Sequence, residues 1–173
     1  MDIELNVSCP NTDKHMVNDG LKPFLNDKRK WCILKLSPLE TSYNIDKFYE
    51  SGFRQFHASN TLPSERGGIS GRVLKPYTLF IITYLKNNFK DCSIIAGGGI
   101  YDIKTMDEYK KAGADHFSVS TIFFHPFKTF SFDKSLSSLG VGFIFVLFGL
   151  LYLVEDLSEI SFGQLIRAFV FRH

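Results

Sequence analysis

The chain has 173 residues, 45% of them hydrophobic and 22% charged, with a formal net charge of +2. That is the size of one domain, or one domain with an appendage, and so small a charge gives no reason to expect a nucleic-acid partner. Three cysteines without a C-x-x-C spacing suggest neither a disulfide framework nor a zinc site and point to a reducing cytosol, and Asp2 and Glu4 in the opening residues speak against a signal peptide.

The first predicted element is a strand over 3–8, which runs into Cys9-Pro10-Asn11. A thiol just past a strand end can serve as a base when its surroundings lower its pKa. Asn6 and Asn11 bracket it, and carboxamides pair donors and acceptors in the way the amide edges of a pyrimidine ring do. A helix is expected over 17–26, then a strand over 32–37 that carries Lys35 among apolar neighbours. A lysine directed into an apolar interior is costly without an anion. The pyrimidine side of a reduced flavin offers one.

A helix over 44–51 and a strand over 53–58 follow, ending in Ser59-Asn60-Thr61, whose carboxamide and hydroxyls suit a polar heterocycle. Residues 62–74 read as a long loop containing Gly67-Gly68-Ile69-Ser70-Gly71, and loops of that length in compact domains are usually functional. After a helix over 75–88 comes a strand over 93–96 and then Gly97-Gly98-Gly99. Bare backbone N–H groups of this kind form an anion nest. A helix over 103–112 ends at Gly113 and leads to a strand over 116–120, closed by Ser120-Thr121 with two further hydroxyl donors. His57 and His116 fall inside strands and read as packed rather than catalytic. No spacing of His, Asp or Glu suggests a metal.

Strand and helix alternate throughout, as in a parallel βαβ sheet. Chemistry-bearing loops follow the C-terminal ends of the strands, and the glycine and Ser-Thr loops occupy the last two positions, as phosphate sites do in (β/α)8 barrels. The expected fold is therefore α/β, a partial (β/α)8 TIM barrel comprising the last five strands, over residues 1–126. A linker over 127–134 is expected next. Residues 135–154 then carry no charge, and we expect an apolar helix there, long enough to cross a bilayer. Lys128 and Lys134 before it and Glu155, Asp156 and Glu159 after it would keep the barrel portion on the cytoplasmic side. Residues 155–173 read as a tail.

Taken together, Glu4-Leu5-Asn6-Val7-Ser8-Cys9-Pro10-Asn11, Lys35-Leu36-Ser37-Pro38, Ser59-Asn60-Thr61, Gly67-Gly68-Ile69-Ser70-Gly71 with Leu74-Lys75-Pro76, Gly97-Gly98-Gly99-Ile100 and Ala112-Gly113-Ala114-Asp115 before Ser120-Thr121 resemble the dihydroorotate dehydrogenase family. The resemblance covers residues 1–126 and implies an FMN flavoprotein of pyrimidine biosynthesis. It places Cys9 at the catalytic base, as in the soluble class of the family. It places Asn6, Asn11, Asn60 and Thr61 on the pyrimidine and Lys35 on the flavin ring. Gly71, Gly98, Gly99, Ser120 and Thr121 fall on the FMN phosphate. The family's first strands have no counterpart ahead of Ile3, so the expected function is that of a fragment of such an oxidoreductase, in the cytoplasm and with membrane contact through 135–154. Its partners would be a small pyrimidine and a second copy of the chain. The alternatives are a dihydropyrimidine reductase-type flavoenzyme and a non-catalytic, membrane-tethered remnant.

Overall fold

A computed structural model of the chain describes residues 2–7, 20–59, 61–65, 67–124, 132 and 151–153. In chain order they form β1 (Ile3–Asn6), β2 (Cys32–Lys35), α1 (Ser42–Glu50), β3 (Gln55–Ala58), β4 (Leu62–Ser64), β5 (Gly67–Ile69), α2 (Lys75–Asn88), β6 (Ser93–Gly97), α3 (Ile103–Ala112), β7 (His116–Val119) and β8 (Leu151–Leu153), with short 3-10 turns at Lys22–Phe24, Arg72–Leu74 and Thr121–Phe124. One sheet has the order β1-β2-β3-β6-β7-β8. Its first five strands are parallel, and these are the five the sequence predicts.

The helices begin and end where their sequences dictate. Thr41 caps α1 by accepting a hydrogen bond from the Asn44 N–H, and Asp102 caps α3 through the Thr105 N–H, each satisfying a donor the helix cannot. Gly113 closes α3 at φ 114°, a conformation that costs glycine little. The 3-10 turn Arg72–Leu74 feeds directly into α2, with Pro76 in its first turn.

The register divides the sheet into two chemically distinct faces. Leu34, Phe56, Ala58, Ile94, Ala96, Phe117 and Val119 lie on one, packed with Ile45, Phe48, Ile81, Ile82, Leu85, Met106 and Tyr109 of the helices as the hydrophobic core. The alternate positions, in register across the strands, carry Glu4, Asn6, Lys35, Gln55, His57, Ser93, Gly97, His116 and Ser118, with Ile33 and Ile95 among them. A sheet with helices on one side and polar residues on the other places its ligand chemistry on the polar face and at the strand ends.

Three expectations change. Of the helix expected over 17–26, the described part holds only the 3-10 turn Lys22–Phe24, with Pro23 inside it; proline lacks the N–H a continuing helix needs. The loop over 62–74 contains an antiparallel hairpin, β4 with β5, and the turn that starts α2. The continuous apolar helix over 135–154 does not hold at its end: Leu151–Leu153 is a strand, antiparallel to β7. There it pairs backbone groups of β7 that would otherwise form a sheet edge. The rest of that stretch lies outside the described residues. Among the described residues no helix is long and apolar enough to cross a membrane.

Candidate functional site

The polar face gathers a charged cluster on three neighbouring strands. Glu4 stands on β1, Lys35 on β2 and His57 on β3. The Glu4 carboxylate uses both oxygens: Oε2 accepts from His57 Nδ1 at 2.8 Å, and Oε1 lies 3.4 Å from Lys35 Nζ. The His57 side chain is 3% exposed, those of Glu4 and Lys35 21%, so the cluster runs from the interior towards the open face.

Burial alone would raise the Glu4 carboxyl, but the His57 hydrogen bond and the Lys35 charge outweigh it and hold the group below its ordinary 4.5. Burial dominates at His57 and pushes it below 6.5, against the pull of Glu4. The imidazole is therefore neutral at pH 7, with its Nδ1–H donated to the carboxylate. Both shifts act in one direction. An unfolded chain protonates its histidine near 6.5 and its glutamate near 4.5, while the folded chain resists both. We predict that stability is full above about pH 6.5, declines as pH falls below it through His57, and declines again below 4.5 through Glu4. Urea midpoints across pH 4–8 should show His57→Leu flattening the upper part of this decline and Glu4→Gln the lower. Unchanged profiles in both variants would contradict the assignment.

A second cluster forms where the 3-10 turn enters α2. Gly98 and Gly99 have φ of 80° and 74°, the left-handed region that glycine tolerates best. They press against the helix start: a Cβ on Gly98 would lie 2.8 Å from Leu74 Cδ1, and one on Gly99 would lie 2.9 Å from the Lys75 backbone nitrogen. Gly71, also at positive φ, lies against Tyr101 and Thr121, whose Cγ2 would be 3.8 Å from a Cβ there. Gly71, Gly98, Gly99 and Thr121 thus converge on one helix N-terminus, with Ser120 adjacent in sequence. Bare backbone, a hydroxyl and the positive end of a helix suit a phosphate, and the absent side chains let the glycine loop pack directly against the start of α2.

This loop is fixed from behind. The Thr78 hydroxyl donates to the Gly97 carbonyl at 3.0 Å, the Ser59 N–H donates to the same oxygen at 2.9 Å, and the Tyr109 hydroxyl donates to the Gly98 carbonyl at 2.9 Å. Burial drives the Tyr109 phenol up to about 12, so it remains a donor.

The other predicted residues fall as follows. Asn6 is in register with Lys35 on the polar face. Thr61 packs its side chain over Gly68 at the base of the hairpin. Cys9, Asn11 and Asn60 lie outside the described residues. The sequence alone does not single out Glu4, Thr78 or Tyr109, and it marks His57 only as a packed histidine. An acid two residues before Asn6 on the same strand is a signal that could have found Glu4, since alternate residues share a face.

The sequence profile of the family described as dihydroorotate dehydrogenase matches residues 33–134. The catalytic subunit of dihydroorotate dehydrogenase B (NAD(+)) from Thermotoga petrophila is 41% identical over 58 residues, 34% of this chain and 22% of that one. Its namesake from Oceanobacillus iheyensis is 31% identical over 153 residues, 72% of this chain and 49% of that one. The crystal structure of DHODH from Eimeria tenella in complex with ferulenol superposes with a TM-score of 0.61 at 22% identity, covering 79% of this chain and 49% of that one. The chain thus spans about half, or less, of the length of these relatives, and its parallel sheet and helices are part of a (β/α)8 barrel.

Proposed function

Because the chain belongs to the dihydroorotate dehydrogenase family, we propose that its first 126 residues supply the base, the pyrimidine contacts and the flavin-phosphate site of an FMN-dependent enzyme that oxidises dihydroorotate to orotate in the cytoplasm. The observation that carries this reading is that Gly98 and Gly99 pack against the start of α2 and Gly71 against Thr121, which gathers bare backbone, a hydroxyl and a helix N-terminus where the FMN phosphate would sit. Ser120 and Thr121 would add hydroxyl donors, and Lys35 would face the flavin ring from the polar face of the sheet.

FMN, when bound, supplies a two-electron acceptor for the hydride leaving C6 of the substrate. The chain's own residues do the rest. Cys9, as thiolate, takes the proton from C5, and the electrons of that C–H bond form the C5=C6 double bond as the hydride departs. Asn6, Asn11, Asn60 and Thr61 would hold the ring by its amide edges, with C5 towards the thiol. Lys35 would supply positive charge towards the pyrimidine side of the bound flavin.

The test is direct. The chain, expressed and purified, should carry FMN and show flavin absorbance, and dihydroorotate should bleach it faster than dihydrouracil does. A colourless folded protein that takes up no added FMN contradicts the flavin reading. Preferential bleaching by dihydrouracil contradicts the substrate.

A further inference from the structure

We propose that Glu4 and His57 are positioning residues for Lys35: His57 orients the Glu4 carboxylate, and the carboxylate holds the Lys35 ammonium ion in one place on the polar face of the sheet. The inference deepens the flavin reading above and rests on it for the purpose of that ammonium ion.

The geometry is that of a relay. Lys35 is the in-register neighbour of both Asn6 on β1 and His57 on β3. Glu4 sits two residues before Asn6, so its side chain rises from the same face and reaches across β2. One oxygen meets the imidazole at 2.8 Å and the other the ammonium group at 3.4 Å. The imidazole is the most enclosed member, 3% exposed. It packs against the bare Cα of Gly97, where a methyl group would collide with Nε2. The ring therefore has little room to turn, and its Nδ1–H fixes the carboxylate in turn.

A lysine needs such a device more than an arginine does, because its ammonium is a point charge on a flexible four-carbon stem. Fixing the stem before a ligand arrives removes an ordering cost from the binding step. The charged and titratable groups of the described polar face are Glu4, Lys35, His57 and His116. The His116 ring is engaged edge-on with Trp31, centroids 5.4 Å apart. Lys35 is thus the cation that Glu4 holds.

The experiment begins on the flavin-free full chain, with labelled histidine and lysine followed by NMR. Wild-type His57 should be the neutral Nδ1–H tautomer at pH 7, and the Lys35 Cε methylene should be ordered. A charged ring or the Nε2–H tautomer overturns the proposal without any variant. Glu4→Gln and His57→Leu should each release Lys35 to the mobility of exposed Lys28, whereas His57→Asn, whose carboxamide N–H can replace Nδ1–H, should keep it ordered. Equal order in wild type and folded His57→Leu, or an Asn variant as loose as the Leu variant, refutes the relay, since a ring that merely filled space would behave so. FMN titration then separates the two readings. Glu4→Gln and His57→Leu should weaken FMN by about tenfold, the weight of one charge-assisted contact, with His57→Asn close to wild type. No FMN uptake by wild type, with the NMR pattern as expected, defeats the flavin reading and leaves the relay standing. Equal FMN affinity in all four proteins defeats the relay's purpose and leaves the flavin reading standing.

Discussion

Cys9→Ala will lower dihydroorotate oxidation by about 10²–10⁴-fold, the usual weight of a general base, while FMN is retained. The reason lies in the chain order around it. β1 ends at Asn6, so Cys9 follows the strand by three residues, beyond the end at which barrel enzymes keep their reacting groups. The phosphate site proposed above draws on residues that follow β6 and β7 and on the start of α2, a different set from Cys9. Turnover in the FMN-loaded enzyme is the measurement, with flavin absorbance per protein as the internal standard. Turnover within a few-fold of wild type would remove Cys9 from the mechanism.

Gly98→Val will weaken flavin binding by at least about a hundredfold, equivalent to about 3 kcal/mol. Two effects combine. The backbone at Gly98 has φ 80°, which a β-branched residue adopts only under strain. Its Cβ would stand 2.8 Å from Leu74 Cδ1 and 3.5 Å from the Ser59 carbonyl oxygen, forcing the loop off the start of α2. Gly20→Ala is the control, because among the described residues a methyl group there meets nothing within 4 Å, and it should bind as wild type does. Thr121→Val, which removes one hydroxyl and keeps the shape, should weaken binding less than Gly98→Val. Stoichiometric FMN in purified Gly98→Val would refute the site. Circular dichroism separates loss of the site from loss of the fold.

Much of the fold was legible because its signals are local. The helices over 75–88 and 103–112 appear with the expected bounds, since Pro76, Asp102 and Gly113 mark their ends in the sequence itself. The glycine loop after β6 was legible for the same reason. What escaped the reading is whatever depends on pairing across the sheet. His57 looked like one packed histidine among others; only the register that sets β1, β2 and β3 side by side joins it to Glu4. Thr78 and Tyr109 sit on separate helices and converge on consecutive carbonyls, an encounter no spacing within one element discloses. At 135–154 the absence of charge predicts a span. Composition cannot tell an apolar helix from an apolar strand, and Leu151–Leu153 pairs with β7.

The division of the sheet into two faces has a consequence for how the molecule folds. Most apolar residues of β2, β3, β6 and β7 are buried against α1, α2 and α3, and the opposite face carries the charged and polar residues, with Ile33 and Ile95 among them. The cooperative unit is therefore the layer of helices on sheet, assembled from neighbouring strand–helix–strand steps with short loops to close. Its main hydrophobic driving force is spent before any ring of strands is completed. Changes to the exposed groups of the polar face should then cost little foldedness, and changes to the helix-facing side should cost much. The division lets one layer hold the architecture while the other is free to carry charge.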